Sequence, residues 1–396
     1  MKNFVFISPN FPDTYWRFCR ELKNNGFNVL GIGDAEYFQL TNELRASLTE
    51  YYKVSNLENY DEVYRAVAFL AFRYGKIDWL ESNNEYWLEQ DARLRTDFNI
   101  TSGFKTEDIQ KVKFKSEMKP YYKKAGVKVA RYCIAEDVKT CKKFIAQVGY
   151  PVIVKPDNGV GANDTHKISS DEELEAFFKY KLPVSYIMEE FIQAEVNSYD
   201  AIVDSNGEPI FETGNVTPCS LMDVNLGNGT CLFYILNKPY EDVRDAGRRV
   251  LKAFRVRSRF VHFEFFRLTC DQPIGKKGEV VALEVNMRPS GGISPDMMNI
   301  ANSTDVYKIW ADMIAFDSTQ IQPGERFYCA FGGRRDGRNY AHSEQEIIDK
   351  FGGSIKTVGR VPKALSGAMG DTMFVAHFKK KSELDDFLME VSAENN

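Results

Sequence analysis

Apolar runs alternate with amphipathic helical stretches along the first hundred residues. Residues 3–8 (NFVFIS) form one apolar run and residues 28–32 (NVLGI) another, and the intervening stretch 15–25 has helical spacing. A strand–helix–strand order predicts parallel strands, and the alternation continues to about residue 81. We therefore predict a small open parallel α/β domain over residues 1–105.

The pattern changes at residue 106. Residues 107–124 are basic and amphipathic and predict one helix, and residues 127–133 predict a strand. Short strands and helices follow up to residue 212, and the turn at 204–207 (DSNG) is a clear hairpin signal. We predict that residues 127–212 form a compact α+β unit that acts as a lid.

The last part of the chain, residues 321–396, predicts strands closed by a helix. The predicted fold class is thus α/β and α+β multidomain. Its N-terminal part is the open parallel domain, a central region spans residues 106–320 and contains the lid subdomain, and a mixed C-terminal part completes it.

Polar side chains alternate with apolar ones at the end of an apolar strand, residues 280–292 (VVALEVNMRPSGG). Glu284, Asn286 and Arg288 share one face of this strand because successive side chains point to opposite faces. Oxygen ligands on a rigid strand suit Mg²⁺, and a nearby arginine holds phosphate or carboxylate groups. Taken alone, the same pattern is typical of a strand with one solvated face.

A second carboxylate changes that balance. Glu264 lies inside the otherwise aromatic strand at 259–268, and the turn at 271–278 predicts an antiparallel hairpin that places Glu264 beside Glu284. Two facing carboxylates need a cation between them, so the hairpin favours a metal site.

A buried strand at residues 150–156 (YPVIVKP) delivers Lys155 to a polar loop that contains Gly159 and Gly161. Glycines let backbone N–H groups approach phosphate oxygens, and the lysine supplies a positive charge. The order differs from GxxxxGK[ST], which excludes a P-loop. The alternative is a lysine at a strand end beside an ordinary hairpin.

Glu85 follows the predicted strand at 76–81, at the edge where open α/β sheets bind ligands. It is either a substrate contact or a helix N-terminal carboxylate.

Composition narrows the function classes. The chain has 396 residues, a formal net charge of −5 and seven cysteines without CxxC spacing. The acidic balance argues against a nucleic-acid partner, and the cysteines read as reduced thiols of a cytoplasmic protein. We also expect no membrane span, because apolar residues nowhere run together for about 18 positions.

Together, and in this order, these segments resemble the ATP-grasp superfamily, specifically its biotin-carboxylase-like carboxylate-amine ligases. The motifs, each weak alone, are Lys115, VIVKP at 152–156 with its glycine loop, MEEFI at 188–192 with Glu195, FEF at 263–265, and LEVNMRPSGG at 283–292.

The resemblance implies a role for each motif. Lys115 and Lys155 would hold the α- and β-phosphates of ATP, and the loop at 158–165 would fold over its γ-phosphate end. Adenine would be read by Glu189 and the backbone of Glu190 and Ile192, and Glu195 would bind the ribose. Glu264, Glu284 and Asn286 would bind two Mg²⁺ ions, with Mn²⁺ as an alternative, and Arg288 would orient the substrate. Arg334 or Arg335 would touch the acceptor site, unless both are solvated surface charges.

The implied activity is that of a ligase that activates a small carboxylate as an acyl phosphate and joins it to an amine, with a homodimer as an option. Two alternatives stay open: a bicarbonate-dependent carboxylase, and a nucleotide-binding regulatory protein without turnover.

Overall fold

Three β-sheets organise the part of the chain that the computed structural model describes, which is residues 1–159, 164–218 and 230–395. One sheet has four parallel strands, one has ten strands and one has four antiparallel strands. This mixture confirms the predicted fold class.

The N-terminal part is the parallel sheet with its helices, in the strand order β3-β2-β1-β4. Its elements are β1 (Asn3–Ile7), α1 (Trp16–Asn24), β2 (Asn28–Gly33), α2 (Asn42–Ser47), β3 (Glu50–Lys53), α3 (Tyr60–Tyr74), β4 (Trp79–Glu81) and α4 (Leu88–Asp97). The end of β4 lies at a junction with the large sheet, because Glu81 there contacts Arg259 of β14.

The elements after residue 105 build the other two sheets. In chain order they are α5 (Gln110–Lys113), α6 (Lys115–Lys124), β5 (Lys128–Val129), β6 (Tyr132–Ile134), α7 (Val138–Val148), β7 (Val152–Pro156), β8 (His166–Ile168), α8 (Asp171–Tyr180), β9 (Tyr186–Glu190), β10 (Ala194–Val203), β11 (Pro209–Thr213), β12 (Asn215–Thr217), β13 (Cys231–Ile235), α9 (Glu241–Phe254), β14 (Arg259–Leu268), β15 (Val280–Asn286), α10 (Ser294–Asn302), α11 (Val306–Phe316), β16 (Tyr328–Arg334), α12 (Glu344–Phe351), β17 (Ile355–Arg360), α13 (Lys363–Met369), β18 (Thr372–Phe378) and α14 (Lys381–Ser392).

The large sheet has the order β17-β18-β16-β13-β12-β10-β14-β15-β5, with β11 paired to β10. The three C-terminal strands therefore extend the same sheet that carries β14 and β15. The stretch 213–238 supplies β12 and β13, while residues 219–229 within it lie outside the described residues.

The small antiparallel sheet has the order β6-β9-β7-β8 and spans residues 132–190. The predicted lid range was 127–212, but β10 and β11 in that range belong to the large sheet. The single strand predicted at 127–133 is wrong, because β5 pairs with β15 and β6 pairs with β9. The chain crosses between the sheets here and again between β9 and β10. Movement of the small sheet as a lid stays a prediction.

The predicted helix at 107–124 is interrupted at Phe114, which has an extended backbone. Asp157 explains the break. Its carbonyl accepts a hydrogen bond from the Lys115 N–H at 2.8 Å, and its carboxylate accepts one from the Ser116 N–H at 2.8 Å. These contacts satisfy the first amide groups of α6, so the helix restarts at Lys115 beside the end of β7.

An aromatic cluster joins the parallel domain to the large sheet. Phe4 and Phe18 pack edge-on against Trp310 of α11, with ring centroids 5.7 and 5.0 Å apart, and Tyr307 packs on Phe18 at 4.7 Å. All four rings are at most 2% exposed, so the two parts share one core.

A buried ionic network spans the same junction. Glu81, at the end of β4, accepts Arg95 NH2 at 2.9 Å and Arg259 NH2 at 2.7 Å. Arg259 belongs to β14 and also donates to the Met287 carbonyl at 2.9 Å. The network therefore fixes the parallel domain against the strand that carries Glu264, since removal of one partner leaves an uncompensated buried charge.

Among the described residues, no helix combines the length and the apolar character that a membrane crossing requires.

Close packing of α9 on β10 gives a test of the fold. A Cβ at Gly247 would lie 2.3 Å from Cγ of Tyr199, whereas a Cβ at Gly367 in α13 would meet no atom within 4 Å. Helix propensity favours alanine at both positions by about 1 kcal/mol. We expect Gly247→Ala to lower the free energy of unfolding by about 1–2 kcal/mol, because overpacking outweighs that gain.

Gly367→Ala is the matched control and should be neutral or stabilising by about 0.5–1 kcal/mol. Urea denaturation of both variants measures the difference. Equal effects at the two positions would contradict the packing described here.

Candidate active site

Two carboxylates face each other across the β14–β15 hairpin. Glu264 pairs in register with Glu284, as the sequence predicted, and a bulge follows Glu264. Burial raises the pKa of Glu264, but the hydrogen bond and charge of His262 outweigh it and hold the pKa below its ordinary value. Glu264 is therefore an anion, and the pair of carboxylates attracts cations.

Asn286 and Arg288 extend this face toward the end of β15. Arg288 NH2 lies 3.3 Å from Asn286 Oδ1, and its NH1 donates to the Pro289 carbonyl at 2.9 Å. The guanidinium is thereby held beside the carboxylate pair.

Lys115 reaches the same site from the first residue of α6. Its Nζ lies 3.1 Å from Glu284 Oε1 and donates to the Gly159 carbonyl at 2.8 Å. Lys115 thus connects the strand face that carries Glu264 and Glu284 to the start of the glycine loop. Gly161 lies outside the described residues, so its predicted phosphate role stays a prediction.

Glu189 lies on β9 between two lysines. Lys155 Nζ contacts Glu189 Oε2 at 2.7 Å, and Lys119 Nζ contacts Glu189 Oε1. Burial acts to raise the pKa of Glu189, but the two lysines outweigh it and lower the pKa to about 2. Its carboxylate is consequently a permanent hydrogen-bond acceptor at neutral pH.

The neighbours of Glu189 have distinct surroundings. The Glu190 carboxylate is occupied by Arg131, with Nε at 2.8 Å and NH2 at 2.6 Å, and the Glu190 backbone N–H donates to the Arg131 carbonyl at 3.1 Å. Ile192 is buried at 7% exposure, and Glu195 lies opposite Arg267 in the register of β10 and β14. Glu190, Ile192 and Glu195 thus line the segment where the chain passes from β9 of the small sheet to β10 of the large sheet.

Glu85 enters the site from the parallel domain, in a single helical turn at Glu85–Trp87. Lys113 Nζ lies 3.5 Å from its Oε1 and Arg288 Nε lies 3.8 Å from its Oε2, and that second oxygen has no hydrogen-bond partner. Burial raises the pKa of Glu85 despite these cations. A buried carboxylate oxygen without a donor is costly, so Glu85 is suited to a ligand with N–H groups.

Arg334 and Arg335 have other partners. Arg334 is 4% exposed and donates to the carbonyls of Val391 at 2.8 Å and His342 at 2.7 Å. It packs the C-terminal helix onto the large sheet and is not a solvated charge. Arg335 NH2 donates to the Gly367 carbonyl of α13 at 2.6 Å, and Met369 of that helix lies against Gly292. Their substrate role stays a prediction.

Sequence reasoning missed three buried residues of this site: Lys119, His262 and Asp200. Lys119 lies one helical turn after Lys115, and His262 lies on the same strand face as Glu264. His262 Nδ1 contacts Asp200 Oδ1 at 2.7 Å and its Nε2 lies 3.4 Å from Glu264 Oε1. The available signals were the positions of Lys119, four residues after Lys115, and of His262, two residues before Glu264. Only the burial of these side chains shows that they belong to the site.

The residues fit Mg²⁺. Glu264, Glu284 and Asn286 offer oxygen donors only, and the approach of Lys115 to Glu284 marks a position where positive charge is favourable. Among the described residues, no group of three or more His, Cys, Asp or Glu side chains is placed to hold a metal on its own. The remaining ligands of an ion would therefore come from phosphate oxygens and water.

Known proteins resemble this chain in sequence over part of its length. Residues 110–199 match the family model described as the ATP-binding domain of the carbamoyl-phosphate synthase L chain. The chain is 25% identical over 240 residues to the L-arginine-specific L-amino acid ligase of Bacillus subtilis, which covers 58% of this chain and 56% of that protein.

Solved structures extend the similarity to the whole chain. The L-amino acid ligase of Bacillus licheniformis superimposes with a TM-score of 0.71 at 14% identity, over 100% of this chain and 99% of that chain. The chain has the ATP-grasp fold. The biotin carboxylase domain dimer of Hydrogenobacter thermophilus 2-oxoglutarate carboxylase, solved with MgADP, ADP and bicarbonate, gives a TM-score of 0.68 at 16% identity, over 96% and 86% of the two chains. The ATP-grasp resemblance carried by the ordered motifs is confirmed.

The buried His262 makes stability depend on pH. Burial lowers its pKa, but Asp200 and Glu264 outweigh this and raise the pKa from 6.5 to about 9. The folded state binds the proton more tightly than the unfolded chain does, so the stabilisation is complete below pH 6.5 and is lost as pH rises through about 9. Without Mg²⁺, we expect the difference in unfolding free energy between the wild type and His262→Gln to shrink by about 2–3 kcal/mol across that range.

His377→Gln is the control, because burial lowers the pKa of His377 and no such loss with rising pH is expected. Chemical denaturation at a series of pH values measures both differences. A constant difference for His262→Gln would contradict a charged imidazole between Asp200 and Glu264.

Proposed function

We propose that this ATP-grasp protein is an ATP- and Mg²⁺-dependent ligase that activates a small carboxylate as an acyl phosphate and joins it to an amine. The observation that carries the proposal is the convergence of Lys115, Glu264, Glu284 and Arg288 on one face of the β14–β15 hairpin. Cations and paired carboxylates together suit phosphoryl transfer between anions.

We assign the nucleotide to the space between the small antiparallel sheet and the large sheet. Lys115 and Lys155 hold its phosphates and Glu195 its ribose. The base lies against Glu189 and the backbone of Glu190 and Ile192. Support comes from the contact of Lys115 with Gly159 and from the position of Glu189 and Glu195 on either side of the sheet crossing.

Glu264, Glu284 and Asn286 would hold two Mg²⁺ ions, and Mn²⁺ shares the preference for oxygen ligands. When bound, Mg²⁺ neutralises the negative charge that phosphate oxygens bring together.

The reaction then has two displacements. An oxygen of the substrate carboxylate attacks the γ-phosphorus and ADP leaves, which gives an acyl phosphate. The amine nitrogen of the second substrate attacks the acyl carbon, inorganic phosphate leaves and the nitrogen loses a proton. Arg288 orients the carboxylate and the acyl phosphate, and the small sheet excludes water that would hydrolyse that intermediate.

The second substrate belongs to the amines, and amino acids are the proposed class. Arg288 and Glu85 lie side by side, with Arg288 Nε 3.8 Å from Glu85 Oε2. The unpartnered oxygen of Glu85 fits the ammonium group of an amino acid, next to the acyl group that Arg288 holds. A homodimer and a cytoplasmic location remain predictions.

A carboxylase that uses bicarbonate is the second candidate. It is favoured by the similarity to the biotin carboxylase domain crystallised with MgADP and bicarbonate. ATP hydrolysis stimulated by bicarbonate, and not by any pair of amino acids, would support it over the amide-forming ligase. A nucleotide-binding regulator without turnover is disfavoured, because Glu264, Glu284, Asn286 and Arg288 are all present.

The first test is release of ADP and phosphate in the presence of Mg²⁺ and pairs of amino acids. We expect stimulation by at least one pair and a loss on the order of 100-fold or more in Glu284→Gln, because that variant lacks a carboxylate at the metal face. Glu279→Gln is the matched control in the same hairpin, since the Glu279 side chain is 41% exposed and pairs with Lys128. No stimulation by any pair, or full turnover in Glu284→Gln, would refute the ligase.

Glu85→Gln tests the amine site. The variant keeps the size of the side chain and removes the charge that binds the ammonium. We expect KM for the amino acid to rise roughly 10-fold or more while the Kd for ATP stays unchanged. Steady-state kinetics with the active pair, together with calorimetry for ATP, separates the two effects. An unchanged KM for both substrates would remove Glu85 from the site.

A further inference from the structure

Lys119 is a buried lysine without a phosphate or metal role in the proposed mechanism. It is 1% exposed, its Nζ contacts Glu189 Oε1, and it lies 5.8 Å from the ring centroid of Tyr132. Burial lowers the pKa of Lys119, while Glu189 acts in the opposite direction. A lysine is rarely buried to this extent unless it is paired.

Two lysines contact the single carboxylate of Glu189. Lys155 occupies its Oε2 at 2.7 Å and Lys119 its Oε1. Lys155 ends a strand beside the glycine loop and is 12% exposed at its side chain, whereas that of Lys119 is 2% exposed. Lys155 is therefore the partner that can turn toward phosphate oxygens, and Lys119 is the partner that stays.

Departure of Lys155 would leave the 4% exposed Glu189 carboxylate with Lys119 as its cation. A buried carboxylate without a cation takes up a proton and becomes a hydrogen-bond donor. An ionised carboxylate only accepts hydrogen bonds. The ionised carboxylate therefore favours adenine, which presents an amino group, and the protonated carboxyl favours guanine, which presents a carbonyl oxygen at that position.

We propose that Lys119 is a positioning residue that holds Glu189 as an ionised acceptor after Lys155 engages the phosphates, and that it thereby selects adenine over guanine nucleotides. This inference rests on the proposed function, because it takes Glu189 as the group that faces the base. Lys119 acts through Glu189 and does not touch the reacting atoms.

The test compares ATP and GTP binding by calorimetry in four proteins: wild type, Lys119→Met, Glu189→Gln and the double variant. Methionine retains most of the lysine volume and removes the charge. In Lys119→Met we expect the Kd for ATP to rise on the order of 10-fold and the preference for ATP over GTP to fall by a similar factor. Lys123→Met is the control, because Lys123 is exposed on the same helix.

The double variant covers the case in which Lys119→Met does not fold, since it removes both members of the buried pair. If Lys119 acts only through Glu189, the double variant binds both nucleotides as Glu189→Gln does. An additional loss in the double variant, or unchanged ATP and GTP binding in folded Lys119→Met, would overturn the proposal. Wild-type protein that binds neither nucleotide would instead refute the proposed function.

Discussion

Repulsion between two carboxylates is the constraint around which this molecule is built. Glu264 and Glu284 face each other on neighbouring strands, and neither is fully exposed to the water that would screen them. Such a pair persists only with positive charge nearby. The structure meets that demand from separate elements: His262 from the same strand, Lys115 from the start of α6 and Arg288 from the strand end. The large sheet and the helix that carry these groups are thereby held in one arrangement, and incoming phosphates would change the balance of charge.

The groups around this pair differ in how firmly they are held. Lys119 and the Asp200–His262 pair are buried in packed elements and have few alternative partners. Lys155 and Arg288 lie near strand ends, and Glu85 lies in the turn after β4. Arg288 and Glu85 are 3.8 Å apart, and one Glu85 oxygen has no hydrogen-bond partner. The first set fixes charge in place, and the second can exchange protein partners for a ligand. This division is what a site needs when its substrates are themselves anions, because a fully rigid set of ion pairs would compete with binding.

Much of this arrangement was predictable because it depends on local alternation. The position of Glu264 opposite Glu284 follows from a two-residue period and a short turn, and the parallel N-terminal domain follows from its strand–helix–strand order. The prediction failed where distant chain segments decide the outcome. Asp157 interrupts the helix expected at 107–124, and the strand expected at 127–133 divides because its halves pair with strands about 60 and 150 residues away. The partners of Arg334 and Lys119 could not be predicted for the same reason, because they are distant in sequence and meet only in the packed molecule.

The buried pairing of Glu81 with Arg95 and Arg259 limits how this protein can be re-engineered. Acceptor preference is a natural target for exchange of the N-terminal domain with that of a relative, since Glu85 approaches the site from that domain. Arg259, however, is on β14, on the strand that also carries Glu264. A chimera whose N-terminal domain has no acidic residue at position 81 would leave the Arg259 guanidinium buried without a counter-charge. The strand β14, which carries Glu264, would then be disturbed. The parallel domain is therefore not an independent module, and a functional graft has to carry both sides of that ion pair.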